Sequence, residues 1–208
     1  GPHSEKVLMD INLKIMANKV TAIVGTSGSG KTTLIKLLLG FYEPVKGKIT
    51  LNGIDLSRYS ESNWRKRCGV VMQEGFIFSD TIVNNIGLMD DFPEIDRIEQ
   101  AVNTANIGDF IRKLPLRYNT QIGNQGHGLS TGQKQRILVA RAVYKNPDYI
   151  FLDEATNALD AKNERVIMEN LDQFFRGRTV VIVAHRLSTV KKADHIVVLE
   201  KGHIVETG

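Results

Sequence analysis

Residues 25–32 read GTSGSGKT, a G-x-x-x-x-G-K-[ST] pattern between the apolar run KVTAIVG (19–25) and the helix-like stretch TTLIKLLLG. Residue types at this spacing suit one task, the cradling of phosphate groups. Gly25, Gly28 and Gly30 let the backbone curl so that successive N–H groups point inward, and a helix starting there adds its positive end. Lys31 is expected to reach the β- and γ-phosphates of a nucleotide, and the Thr32 hydroxyl to ligate Mg²⁺. Thr26, Ser27, Ser29 and Thr33 complete the set expected to touch the phosphates. The bland alternative, a glycine-serine turn with a surface lysine, requires neither the strand before it nor the helix after it.

Three more apolar runs end in polar groups that such a site could use. YIFLDEATNALD (149–160) puts two carboxylates at a strand end, and in open α/β sheets ligands bind outside the carboxyl ends of strands. Asp153 suits the Mg²⁺ shell. Glu154, one residue on, points elsewhere and could polarise the attacking water, or simply cap the loop. TVVIVAHRLST (179–189) ends its apolar run at His185, whose ring could contact the γ-phosphate and orient water. GVVMQ (69–73) ends in Gln73, which could touch Mg²⁺ or water. Each of these is readily structural when taken singly; three strands ending alike favour a shared site.

GLSTGQKQR (128–136) poses a question, because it resembles a second phosphate-binding helix start. One nucleotide per chain would leave it idle.

These residues need elements to hold them. The apolar runs lack alternation, as in strands buried on both faces of a parallel sheet, and helical patterns lie between them, around TTLIKLLLG, TGQKQRILVARAVY and AKNERVIMENLDQFF. The fold class expected is α/β, a mainly parallel sheet core of P-loop NTPase type. Asn52-Gly53 in KITLNGIDL and Lys201-Gly202 in IVVLEKGHIVETG mark hairpins, hence a small antiparallel element. The stretch from about 75 to 145 is rich in helix patterns and poor in strand runs, which suggests a helical subdomain within a single domain spanning 1–208.

The 208 residues, 42% hydrophobic and 24% charged, describe an ordinary folded domain. A net charge of +4 without a long basic run reads as a solvated surface, with nucleic acid the weaker alternative. The single cysteine, Cys68, cannot form an internal disulfide and reads as buried or incidental. No apolar run approaches the ~20 residues that span a bilayer, so the sequence reads as a soluble unit.

Taken together, the motifs resemble the ATP-binding cassette (ABC) ATPase domain of transporters over essentially the whole chain. The Walker A loop GTSGSGKT, the Gln73 loop, the signature LSTGQ, Walker B YIFLDE, the D-loop ALD (158–160) and the switch His185 follow in the family's order. VMQEGFIFSDTIVNNI and TQIGNQG (120–126) are similar to the exporter branch, and the wording is close to bacterial peptide or bacteriocin exporters, some of which carry an N-terminal peptidase. The resemblance implies Mg-ATP hydrolysis with Glu154 as general base, Gln73 sensing Mg²⁺ and signalling to a membrane domain, and His185 holding the γ-phosphate. It also implies two cassettes, identical or not, packed head to tail. Ser130, Gly132 and Gln133 would then contact ATP bound by the second copy, with Asp160 at the interface. Transmembrane domains would be the other partner, at the cytoplasmic face of a bacterial inner membrane, with peptide, lipid or drug as cargo. The rival reading is a soluble ABC ATPase acting on nucleic acid or ribosomes. Neither a coiled-coil insertion nor a tandem cassette is present to support it, and no nucleic-acid partner is expected.

Three departures from the family pattern stand out. Thr131 occupies a signature position where the family most often has Gly, and Asn124 one where exporters usually have Glu. The aromatic residue that family members stack on adenine would lie upstream of VLMDINL. His3 is a poor substitute, the first strand is expected to be truncated, and ATP binding is expected to be weakened accordingly.

Overall fold

The computed structural model describes residues 7–88, 90–184 and 186–208, without the side chains of Leu187 and Ser188. In chain order the first elements are β1 (Val20–Val24), α1 (Lys31–Leu38), β2 (Thr50–Leu51), β3 (Ile54–Asp55), α2 (Glu61–Lys66) and β4 (Cys68–Val71). Next come β5 (Asp80–Thr81), α3 (Ile82–Ile86), α4 (Ile95–Thr104), α5 (Gly108–Lys113), β6 (Gln121–Ile122) and α6 (Thr131–Tyr144). The last are β7 (Tyr149–Asp153), α7 (Ala161–Phe174), β8 (Thr179–Val183), α8 (Leu187–Val190), β9 (His195–Glu200) and β10 (His203–Thr207). The chain divides into two compact units. One holds the chain up to Cys68 together with Asp148–Asp153 and Gly177–Gly208; the other holds Gly69–Pro147 and Glu154–Arg176.

In the first unit the strands lie in the order β10-β9-β1-β8-β7. β1 runs parallel to β8 (Val20 opposite Val180) and to β9 (Thr21 opposite His195), and β7 runs parallel to β8 (Tyr149 opposite Thr179). Parallel neighbours need crossovers, and helices that cross over cover the sheet faces. This is why Ala22, Ile23, Phe151, Val181 and Ile182 are buried in runs rather than alternately. α1 packs on β7 and β8, and its Leu34 and Ile35 are buried. The Asp194 carboxylate ties down the start of β1, accepting from Val20 N–H at 2.8 Å and from Lys19 Nζ at 3.0 Å. The Val20 bond, then Lys19, holds that carboxyl below its usual range. Cys68 is buried, its thiol donating to Trp64 O at 3.3 Å. The basic WRKRC stretch meets acids at the surface, Arg65 bonding Glu61 and Arg67 bonding Asp148, each at 2.7 Å.

Both expected hairpins form. Asn52 (φ 50°) and Gly53 (φ 82°) join β2 to β3, and Lys201 (φ 45°) and Gly202 (φ 81°) join β9 to β10. Positive φ at both central residues gives the turn a twist that matches antiparallel strands.

The second unit is mainly helical. It extends beyond the 75–145 stretch marked out in the sequence, since it takes in α7, and it includes one small sheet in a region poor in strand runs. There β5 and β6 pair antiparallel, Asp80 opposite Ile122 and Thr81 opposite Gln121. Two-residue strands carry no readable alternation. α6 packs on α3 and α4, and its residues from Ile137 to Tyr144 are buried apart from the half-buried Arg141. Helices apolar nearly all round are core helices. Fully burying one Leu or Ile contributes roughly 1.5–3 kcal/mol, so this run anchors α6 far more firmly than its helix propensity could.

Candidate nucleotide site

The phosphate loop follows β1 directly. Gly25 (φ 155°), Gly28 (φ 78°) and Gly30 (φ 105°) all take positive φ, which carries the chain round from the strand end into α1. At Gly25 a Cβ would lie 2.0 Å from Leu199 O, so nothing larger than glycine fits without moving β9. Ser29 N–H donates to Thr26 O at 3.2 Å, closing the turn, and Gly202 N–H holds Ser29 O at 3.1 Å. Lys31 is buried, its Nζ donating to Gly25 O (3.0 Å) and Thr26 O (2.8 Å). The ammonium thus lies across the loop's mouth, where a phosphate would compete for it. Ser29 Oγ is buried without a partner among the described residues. α1 starts at Gly30 with no side-chain cap, so the helix start keeps N–H groups for an outside acceptor.

Asp153 closes β7 and is 1% exposed. Its carboxylate and the Thr32 hydroxyl in the first turn of α1 are hard oxygen donors of the type that Mg²⁺ takes. No group of three His, Cys, Asp or Glu that could hold a metal occurs among the described residues. His185 and His3 lie outside the described residues.

The remaining expected residues belong to the second unit. Gln73 is exposed, two residues beyond β4. Glu154 is half-buried with φ 52°, a left-handed conformation uncommon outside glycine, and its Oε2 accepts from Asn157 Nδ2 at 2.5 Å. Ser130 is the N-cap of α6. Its Oγ accepts from Gln133 N–H (3.2 Å) while Gln133 Oε1 accepts from Ser130 N–H (2.8 Å), a reciprocal capping box. Thr131 opens the helix as an ordinary exposed residue, so its replacement of the usual glycine leaves the turn intact. Asp160 caps α7, accepting from Lys162 N–H (3.1 Å) and Asn163 N–H (2.9 Å). The Asn163 bonds come first among the causes that hold the Asp160 carboxyl below its usual range.

The structure brings the signature helix and the 154–160 loop together. A Cβ on Gly132 would meet Ala158 O at 3.3 Å, so this glycine lets the loop lie close against the helix. Gln135, 6% exposed, reaches into the same loop, donating to Glu154 O and accepting from Ala158 N–H. Arg136 bonds Asn106 O at 2.8 Å. Neither Gln135 nor Asn157 stood out in the sequence. A signal for Gln135 existed: it shares a helix face with Leu138 and Val139, three and four residues on, and so interrupts an apolar stripe.

The two exporter-like stretches also meet. β5–β6 pairing sets 120–126 beside the segment after Gln73, and a Cβ on Gly123 would lie 2.8 Å from Phe78 O. Asn85, fully buried, donates from Nδ2 to Phe78 O, Asp80 O and Thr81 O, and Arg141 donates to Phe76 O, Asn85 O and Asn85 Oδ1. Burial lowers the Arg141 guanidinium to about 10. The loop so held presents Phe76 and Phe78 edge to face, 63% and 40% exposed.

The sequence profile of the ABC transporter family matches residues 8–157, from before the phosphate loop into the acidic one. The chain belongs to the ABC transporter family. It is an ABC ATP-binding domain, similar over its full length to the exotoxin translocation ATP-binding protein PaxB of Pasteurella aerogenes (49% identity) and the alpha-hemolysin translocation ATP-binding protein HlyB of Escherichia coli (48%). It spans 29% of the length of each. A solved bacterial Atm1-family ABC exporter with ATP bound superposes with a TM-score of 0.93 at 38% identity, covering all of this chain and 36% of that one. No helix among the described residues of this ABC domain is long and apolar enough to cross a membrane.

Proposed function

We propose that this ABC domain is the motor of an exporter: it binds Mg-ATP on the loop 25–33, hydrolyses it, and couples the cycle to movement of cargo through membrane domains. The observation that carries this reading is the phosphate loop itself, with its buried Lys31, its uncapped helix start and Asp153 at the end of β7. Phosphoryl transfer needs little covalent help, and positioning with charge stabilisation does most of the work. Lys31 and the N–H groups at the start of α1 would neutralise the phosphates, and Thr32 and Asp153 would hold Mg²⁺. Gln73 would be a further ligand of the ion or its water. Mg²⁺, when bound, would screen charge on the transferring phosphoryl group. Glu154 takes the proton of the attacking water, and His185 holds the γ-phosphate.

A second ABC domain supplies Ser130, Gly132 and Gln133 to this chain's ATP, and Asp160 lies near that contact. The exposed Phe76–Phe78 pair, held by Asn85 and Arg141 beside the 120–126 stretch, supports a docking surface for the membrane domains. The likeness to toxin-translocation proteins makes a polypeptide the favoured cargo and the cytoplasmic face of a bacterial membrane the favoured place.

A phosphate-release assay on the complete protein tests the reading. Glu154→Gln should keep ATP binding and lose turnover by roughly 10²–10⁴-fold, the usual contribution of a general base. Normal turnover by that variant would remove Glu154 from the mechanism.

A further inference from the structure

The loop that carries Glu154 is held from inside the second unit by one buried amide. Gln135 Nε2 donates to Glu154 O at 3.4 Å, and Gln135 Oε1 accepts from Ala158 N–H at 3.1 Å. The two bonds bridge both ends of the 154–158 turn. Two backbone bonds also fold it, Asn157 N–H to Glu154 O (3.2 Å) and Leu159 N–H to Thr156 O (3.0 Å). From the other side the Thr156 hydroxyl donates to Glu164 Oε1 at 3.2 Å, and Glu164 is 7% exposed. Such a turn needs support because Glu154 sits at φ 52°, and a non-glycine residue stays there only when its surroundings hold it.

We infer that Gln135 is a positioning residue for Glu154: its amide fixes the base's backbone to the signature helix, and so sets where the Glu154 carboxylate is presented. The inference rests on Glu154 being the general base. Gln135 does not touch the carboxylate; Asn157 does, through Nδ2 on Oε2. Gln135 lies on the same rigid helix as the capping pair Ser130 and Gln133, so a displacement of that helix start is carried to the base through the amide. Among the described residues Lys31 bonds Gly25 O and Thr26 O, so ATP affinity is the readout that tells a fault in the phosphate loop from one at Gln135.

The test is Gln135→Met, which fills a similar volume without either hydrogen bond, in the complete protein. Turnover should fall about 10–100-fold, the scale of a small misplacement of a reacting group, while KM and ATP affinity stay within about two-fold. Amide exchange at Ala158 should speed up. Gln135→Glu keeps the acceptor for Ala158 and loses the donor to Glu154, so it should lower turnover with Ala158 still protected; it also serves if the Met variant does not fold. In a Glu154→Gln background, Gln135→Met should cost nothing further, since both changes act through one group. Wild-type turnover with accelerated exchange would overturn the inference, as would unchanged exchange, a proportional loss of ATP affinity, or an additive loss in the double variant. Should Glu154→Gln alone turn over normally, the general-base reading fails instead, and the exchange result still reports whether Gln135 holds the loop.

Discussion

Two helix starts in this chain carry glycine-rich, serine-bearing sequences that read alike, and they are built in opposite ways. α1 begins at Gly30 with positive φ and no side-chain cap, and Lys31 folds back over the loop carbonyls. α6 begins at Ser130 with both of its capping bonds made inside the chain. An uncapped start leaves its N–H groups and its partial positive charge for an outside anion. A capped start has satisfied part of that demand already. The first can therefore bind phosphate by itself. The second is a preformed surface with Ser130 exposed at its tip, which under the proposed function would meet a phosphate held by another chain. Under the proposed function, the two phosphate-facing elements of one small domain are complementary halves rather than duplicates.

The largest effect that separates the two starts should come from Lys31→Ala. Removing the ammonium from the self-sufficient site should weaken ATP binding by about 100-fold or more, the scale of losing one charge-stabilising donor, and should remove hydrolysis with it. Titration with a fluorescent ATP analogue reads this directly, and undiminished affinity would mean that the loop does not hold the phosphates.

Ser130→Ala should act in the reverse sense. It leaves ATP affinity of the single chain unchanged and removes one cap bond, a loss of about 1 kcal/mol of stability. For a domain of this size that corresponds to a melting temperature lower by about 2–4 °C. A weakened affinity in that variant would erase the distinction between the two starts.

The contrast also explains what could be read from the sequence. The phosphate loop was legible because its causes are local: three glycines, a lysine and a hydroxyl within eight positions, a strand before and a helix after. The two hairpins were legible for the same reason, since Asn52-Gly53 and Lys201-Gly202 dictate their own φ. α6 matched the stretch read from sequence because its cap and its apolar run are contiguous. What stayed hidden depends on partners distant in sequence. Gln135 meets Glu154 and Ala158 across 19 and 23 residues, Arg141 meets Asn85 across 56, and the β5–β6 pair joins Asp80 to Ile122 with two residues on each side. The second unit holds all of these. Its loops are set by side chains reaching between helices, and periodicity carries no record of such contacts.

The claim that one chain forms half of each active site is tested most directly by sedimentation of the Glu154→Gln variant, with and without Mg-ATP. A slow-hydrolysing domain should be monomeric without nucleotide and dimeric with it, holding two ATP per dimer. Adding Ser130→Arg should keep it monomeric at full ATP occupancy. A Glu154→Gln protein that saturates with ATP and remains a monomer, or a Ser130→Arg protein that dimerises as before, would contradict it.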